Sequence, residues 1–283
     1  MSNSQNRKQS KNQPGDSAKK RPANVVSSAR RSTGGGRGSQ QMTFIIVASL
    51  VAIVAIVGGI IAVKRTSDNK AAQAASNDQK VVTQLKKDVA GIASAVPAEL
   101  KTSTVTPDAI IVGNPDAKVT IDLWVDLQCS SCKAYEAQND PTLEAAVKAG
   151  TAVLQVRPVA ILDQMSSGTR YSSRAGNAVV CAAQEGLFWP YAKALYQFQP
   201  DEGATGLPND RLVLIARAVG LTSDSFQKCV DTEAQKPWIT QMTKNFDAKK
   251  LQGTPSVFVN GKQLTAGTTA ELTSAIAAAT ATA

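Results

Sequence analysis

Histidine is absent from all 283 residues, which removes one of the commonest metal ligands. Cysteine is limited to four residues, and aromatic residues make up only 5% of a chain that is 43% hydrophobic, a balance that still suits one globular domain. Acid is nearly missing from residues 1–41, where Asp16 stands alone against nine Lys/Arg: Arg7, Lys8, Lys11, Lys19, Lys20, Arg21, Arg30, Arg31 and Arg37. The net charge of +9 therefore sits almost wholly in that tail, and the rest of the chain is close to neutral. A folded nucleic-acid-binding domain is not what this distribution describes. The tail also has almost no large apolar residues before Met42 and cannot bury enough surface to offset its ordering entropy, so we expect it to be disordered.

Charge then disappears altogether. Met42 to Val63 is a run of 22 uncharged residues rich in Ile, Val, Ala and Leu, which as a helix spans about 33 Å and matches a bilayer core. A cleaved signal peptide and a buried helix are the competing readings, but the run is too long for a signal peptide's apolar segment and the preceding tail too long for its basic one. Ala72-Gln73-Ala74, which looks like a cleavage site, lies too far beyond the run. The basic excess before the span predicts a cytoplasmic N-terminus and an extracytoplasmic remainder at the cell membrane. Binding to anionic inner-leaflet lipid or to RNA stays open for the tail beside its role in setting topology.

Beyond the span, residues 64–107 read as an Ala-, Gln-, Ser- and Lys-rich spacer, with a short amphipathic stretch around Val81, Val82, Leu85 and Val89. Residues 108–283 read as the folded α/β domain. A short strand is expected at Ala109 to Val112. The alternation of Val119, Ile121, Leu123 and Val125 with Thr120, Asp122, Trp124 and Asp126 predicts a second. Lys133 to Gly150 reads as helix with a kink or break at Asn139-Asp140-Pro141, and Thr151 to Val159 as a strand paired in parallel through a right-handed crossover. Residues 166–250 turn helical, with Asn209 or Asp210 as a cap and Gly220 as a stop. Ser256 to Asn260, an Asn260-Gly261 hairpin turn, Lys262 to Leu264 and a helix from about Thr269 to Ala279 close the domain. No internal repeat is visible.

The four cysteines fall into two unlike pairs. Cys129-Ser130-Ser131-Cys132 follows a strand and opens a helix, where free backbone N–H groups and the helix dipole stabilise a thiolate. Cys129 is then expected to be the exposed attacking and leaving sulfur, and Cys132, one turn inward and shielded, the resolving thiol. A zinc site needs two further ligands; no histidine exists and Cys181 and Cys229 are 48 residues apart, so no metal is expected. A copper(I) site and a redox-inert crosslink remain open for the motif taken alone.

Three segments together resemble the membrane-anchored DsbA-like thioredoxin-fold proteins of Gram-positive cell envelopes. They are Asp126-Leu127-Gln128-Cys129, the Cys129 to Cys132 motif followed by Lys133, and Gly253-Thr254-Pro255-Ser256-Val257-Phe258-Val259-Asn260-Gly261. The resemblance covers residues 109–280 and implies a thioredoxin fold with residues 166–250 as an inserted helical domain that shapes a substrate groove. It implies a cis Pro255 facing the cysteine pair, with Thr254 offering backbone groups to an extended substrate, and a structural bridge between Cys181 and Cys229. Two buried free thiols are the alternative to that bridge. It further implies a disulfide oxidase that needs no cofactor, acts on exported cysteine-containing proteins and is recharged by a membrane quinone-linked reoxidant. Two departures qualify this. Strongly oxidising members often carry histidine between the cysteines, where this chain has Ser130 and Ser131. Many relatives place a buried acid six positions before the first cysteine, where this chain has Leu123, and strand alternation puts Asp122 and Asp126 on the opposite face. A reductase or isomerase is therefore the second reading; a redox-inert binding module and a copper(I) carrier are the others.

Overall fold

Val119, Ile121 and Leu123 are buried while Thr120 and Asp122 reach partly to solvent, an alternation that suits Val119–Val125 (β3) to its place as an inner strand of a six-stranded sheet. The computed structural model describes residues 60, 63–64, 66–73, 75–90, 92 and 96–282. The basic tail 1–41 and nearly all of the expected span 42–63 lie outside the described residues. Among those described, no helix is long and apolar enough to cross a membrane.

The sheet order is β1-β2-β4-β3-β5-β6, with β1 Ser103–Val105, β2 Ile110–Val112, β4 Ala152–Pro158, β5 Ser256–Val259 and β6 Lys262–Gln263. The β3–β4 pair is parallel, joined by helix α1 (Ser130–Lys148), and every other pairing is antiparallel. Strand β1 lies within the stretch that composition marks as spacer. Three residues are too few to show a period, and its strand conformation comes from pairing with β2. The amphipathic stretch before it also joins the domain: residues 75–88 are helical, and Val82, Leu85, Val89, Val96 and Leu100 are buried.

Helix α1 starts at Ser130, three residues earlier than its periodicity suggests, and runs unbroken through Pro141. The Asn139 side-chain amide, two residues before Pro141, donates to the Tyr135 carbonyl at 3.0 Å and to the Gly267 carbonyl at 3.2 Å, tying the helix to the neighbouring loop. At the hairpin, Asn260 (φ 45°) and Gly261 (φ 80°) take the left-handed conformations that a tight turn of this hand requires.

The insertion holds five helices: α2 Tyr171–Gln184, α3 Phe188–Gln197, α4 Asn209–Ala218, α5 Asp224–Asp231 and α6 Lys236–Ala248. Helix α2 is buried along most of its length and packs against α3, α5, α6 and β1. Ser223 caps α5 by accepting from the Phe226 N–H at 3.0 Å, whereas α4 starts after Pro208 and neither Asn209 nor Asp210 caps it. Asn209 instead accepts from the Arg174 guanidinium at 2.9 Å. Cys181 on α2 and Cys229 on α5 form a disulfide. The opposite sheet face carries a smaller core of Trp124, Val159, Met242 and Phe246, and Thr269–Thr282 (α7) ends the domain.

Candidate active site

Strand β3 ends at Val125, and the next residue builds the turn that presents the cysteines. The buried Asp126 carboxylate accepts from the Gln128 N–H at 2.9 Å and the Leu162 N–H at 3.0 Å, while its carbonyl accepts from the Cys129 N–H at 3.0 Å. Cys129 is thereby the residue preceding α1, and Cys132 lies within the first turn. The antiparallel register of β5 on β3 sets Ser256 opposite Trp124, so that Thr254, just before β5, arrives beside the turn. The Cys129 thiol donates to the Thr254 carbonyl at 3.2 Å, and the Thr254–Pro255 peptide is cis.

The two thiols are both free and both buried, Cys129 included, against the exposure expected for the attacking sulfur, because the turn packs it beside Thr254; the two differ in acidity. Cys129 is lowered from 9.0 to about 6, chiefly by a hydrogen bond from the Cys132 thiol. Burial opposes this, and the Thr254 side chain with the backbone amides of Ser131 and Cys132 reinforces it. Cys132 is pushed well above its ordinary value, first by burial and then by its interactions with Cys129, against a smaller opposing contribution from the Asp126 backbone. Asp126 itself rises to about 6 because it is buried, with hydrogen bonds from Ser172, Gln128 and Leu162 resisting and Cys129 adding to the rise.

The insertion grips this turn from outside the motif. The Tyr196 hydroxyl donates to the Asp126 carbonyl at 3.4 Å, and the Gln199 side chain donates to the carbonyls of Leu127 and Cys129 at 2.9 and 3.0 Å. The Glu202 carboxylate accepts from both the N–H and the hydroxyl of Ser130, at 2.7 and 2.8 Å. The Gln128 side chain extends the grip by donating to the Met165 carbonyl at 2.7 Å. These residues follow no spacing pattern, and only the folded chain brings them to residues about 70 positions earlier; sequence carried no signal for them.

Beneath Cys132 lies a cavity of about 30 Å³ whose lining includes Leu123, Leu127, Tyr196 and Glu136. Asp122 is paired with Arg157, and the Asp126 carboxylate accepts from the Gln128 and Leu162 N–H groups at the turn. Glu136, one turn beyond Cys132 on α1, buries its Oε2 without a hydrogen-bond partner. On the solvent side, a groove of about 340 Å³ runs between Ser131, Tyr135 and Gln138 of α1 and the segment from Pro255 to Gly267. The Glu271 carboxylate holds the groove's far loop, accepting from the N–H groups of Thr265, Ala266 and Gly267 at 2.7 to 2.8 Å. Among the described residues no three Cys, Asp or Glu side chains cluster to hold a metal ion.

A thioredoxin fold with a thiol pair of divided acidity at a helix N-terminus is the site of a thiol-disulfide oxidoreductase. Residues 105–278 match the thioredoxin family, and the chain belongs to it. No curated protein sequence matches the chain. Among solved structures it is similar to oxidised DsbA from Mycobacterium tuberculosis, with 29% identity, a TM-score of 0.51, and coverage of 64% of this chain and 97% of that one. It is similar to the reduced disulfide bond oxidoreductase DsbG of the same organism, with 28% identity, a TM-score of 0.51, and coverage of 70% and 98%. The thiol-disulfide oxidoreductase MdbA from Corynebacterium matruchotii shares the fold at 20% identity and a TM-score of 0.56, with coverage of 68% and 98%.

Proposed function

We propose that this enzyme is an extracytoplasmic thiol oxidase, held to the cell membrane by residues 42–63, that introduces disulfides into exported proteins through Cys129 and Cys132. The observation that carries this reading is the division of acidity between the two thiols. A substrate thiolate attacks Cys129 of the oxidised pair and Cys132 leaves, taking up a proton. A second substrate thiolate then attacks the mixed disulfide, the substrate bond closes and Cys129 leaves as a thiolate. Two electrons pass from substrate to the pair. A leaving thiolate near an acidity of about 6 is a good one, which favours release of oxidised substrate. Thr254 and Pro255, at one end of the groove beside Cys129, are the residues we assign to binding an extended substrate segment. Reoxidation falls to a membrane quinone-linked partner. Residues 1–41 serve as a cytoplasmic tail, residues 64–107 link the span to the domain, and residues 108–283 form the catalytic domain, with 166–250 as its insertion.

A reductase or isomerase of the same fold is the second reading, favoured by Ser130 and Ser131 standing between the cysteines without histidine. The test is the reduction potential of the Cys129/Cys132 couple together with turnover of a reduced dithiol peptide. A potential at or above that of the glutathione couple, with turnover abolished by Cys129→Ser, supports the oxidase. A potential near that of thioredoxin supports the reductase. Turnover that survives Cys129→Ser ends both readings.

A further inference from the structure

The first turn of a helix offers backbone N–H groups without intrahelical partners, and in α1 these are shared between two anions. The amides of Ser131 and Cys132 serve the Cys129 sulfur. The amide of Ser130, next to the reactive residue in sequence, is taken by Glu202. We infer that Glu202 is a positioning residue that sets the reduction potential of the cysteine pair, by placing a carboxylate on the helix N-terminus in competition with the Cys129 thiolate. This inference rests on the redox reading of the site.

Glu202 is exposed, yet the backbone around it is fixed. The Gly203 N–H donates to the Met165 carbonyl at 2.7 Å and the Gly203 carbonyl accepts from the Ser167 hydroxyl at 2.8 Å. Gly203 takes φ +89°, a conformation side chains resist, which lets the chain turn between these two anchors. Further along, the backbone passes so close to Tyr171 that a Cβ on Gly206 would lie 2.2 Å from its side chain. On the other side, Gln199 is pinned to the carbonyls of Leu127 and Cys129. The two bonds to Ser130 then complete the hold on the carboxylate.

The electrostatic consequence has a definite sign. At pH values above the acidity of Cys129, oxidising one substrate dithiol sends two electrons and one proton to the pair, giving a Cys129 thiolate and a Cys132 thiol, and releases the other proton to solvent. A carboxylate at the helix end raises the free energy of that thiolate and leaves the disulfide form untouched. Glu202 therefore makes the enzyme a weaker oxidant than the helix end alone would. The titratable groups that face Cys129 or its end of the helix include Cys132 on α1, Asp126 just after β3, Tyr196 on α3, and Glu202, with Lys133 following Cys132 in sequence and Glu136 one turn further along α1. Among these acids and bases only Glu202 bonds the first helical N–H, so its removal changes the thiolate without disturbing the Asp126 turn.

The test uses the full-length chain in detergent micelles, with Glu202→Gln, Glu202→Ala and Asp201→Asn compared to the parent. Thiolate absorbance of the reduced protein against pH reports Cys129 directly. Redox equilibrium with glutathione reports the potential. Both Glu202 variants are expected to titrate about half a pH unit lower, and their glutathione equilibria to shift about threefold toward the reduced form, which is roughly 14 mV. High salt is expected to shrink the difference, because the charge is exposed. Asp201→Asn is expected to leave both readings where they are. Unchanged titration in both Glu202 variants overturns the inference, as does an equal shift in Asp201→Asn, which would make the effect one of net charge alone. Parent protein that fails to oxidise or reduce any dithiol peptide overturns the redox reading itself, while the titration arm still reports on Glu202.

Discussion

Cys129 Sγ lies 3.2 Å from the carbonyl oxygen of Thr254, a contact between residues 125 positions apart. The register of two antiparallel strands creates it, because pairing Trp124 with Ser256 brings Thr254 level with the turn that follows β3. The Thr254 side chain also favours the charged form of Cys129. Thr254→Val keeps the side-chain volume and removes the hydroxyl, so the Cys129 titration is expected to rise from about 6 by about half a pH unit. Iodoacetamide alkylation rates of the reduced protein across pH check this; a midpoint that stays put would remove the hydroxyl from the account.

The acidity of Cys129 also links the redox state to stability. Its folded value of about 6 is below the ordinary 9.0, so between those limits the unfolded chain binds more protons than the native one. Stability of the reduced protein is therefore expected to rise as pH increases from 6 to 9, and to be lost as pH falls back through that window. The gain is about 2 kcal/mol after allowance for solvent screening. Urea unfolding at a series of pH values measures it. The rise should vanish in Cys129→Ser and in the oxidised protein, where Cys129 carries no ionisable proton.

Gln199 donates to two carbonyls of the turn, those of Leu127 and Cys129, and so ties the insertion to the thioredoxin core at the reactive residue. Gln199→Leu leaves both acceptors without this donor while keeping a side chain of similar size. The expected cost is about 2 kcal/mol in unfolding free energy, read from the denaturant midpoint. Hydrogen exchange at the amides of residues 127–130 should quicken more than exchange in β4, which makes no contact with Gln199 through these bonds.

The Cys181–Cys229 bridge joins α2 to α5 across a separation of 48 residues. Closing a loop of that length restricts the unfolded chain, and replacing both cysteines by alanine is expected to lower stability by about 2 to 4 kcal/mol. Both residues lie outside the turn and the groove, so turnover per folded molecule should persist. Loss of turnover in a fully folded double variant would give the bridge a redox role.

How far the sequence reveals this molecule depends on the range of the interactions involved. Strand β3 is legible because Val119, Ile121 and Leu123 alternate with Thr120 and Asp122, and the cysteine motif because strand end and helix start flank it directly. Strand β1 is not, since Ser103–Val105 takes its form from its partner strand. The start of α1 at Ser130 is hidden by the lack of apolar period in its first turn, and its continuity through Pro141 by the local rule that proline interrupts a helix. Gln199, Glu202 and Glu136 are the plainest cases. An exposed glutamate in a loop and a glutamate on a helix carry no mark of position, and their surroundings exist only once the insertion has folded onto the turn.

Asp126 shows how such a long-range setting becomes measurable. Burial raises it from 3.8 to about 6, although hydrogen bonds from Ser172, Gln128 and Leu162 work the other way. The native state thus holds its proton over a range where the unfolded chain releases it, and stability is expected to fall as pH rises from about 4 to about 6 and to level off above. The shift corresponds to roughly 3 kcal/mol. Asp140, raised to about 6 chiefly by burial and held back by Lys193 at 2.9 Å, titrates in the same window and adds to the fall. Asp126→Asn separates the two. It removes one ionisation, keeps one acceptor for the turn, and should flatten part of the decline between pH 4 and 6 while leaving the contribution of Asp140. Unfolding curves that retain the full parental slope in Asp126→Asn would show that the buried carboxyl is not the group that titrates.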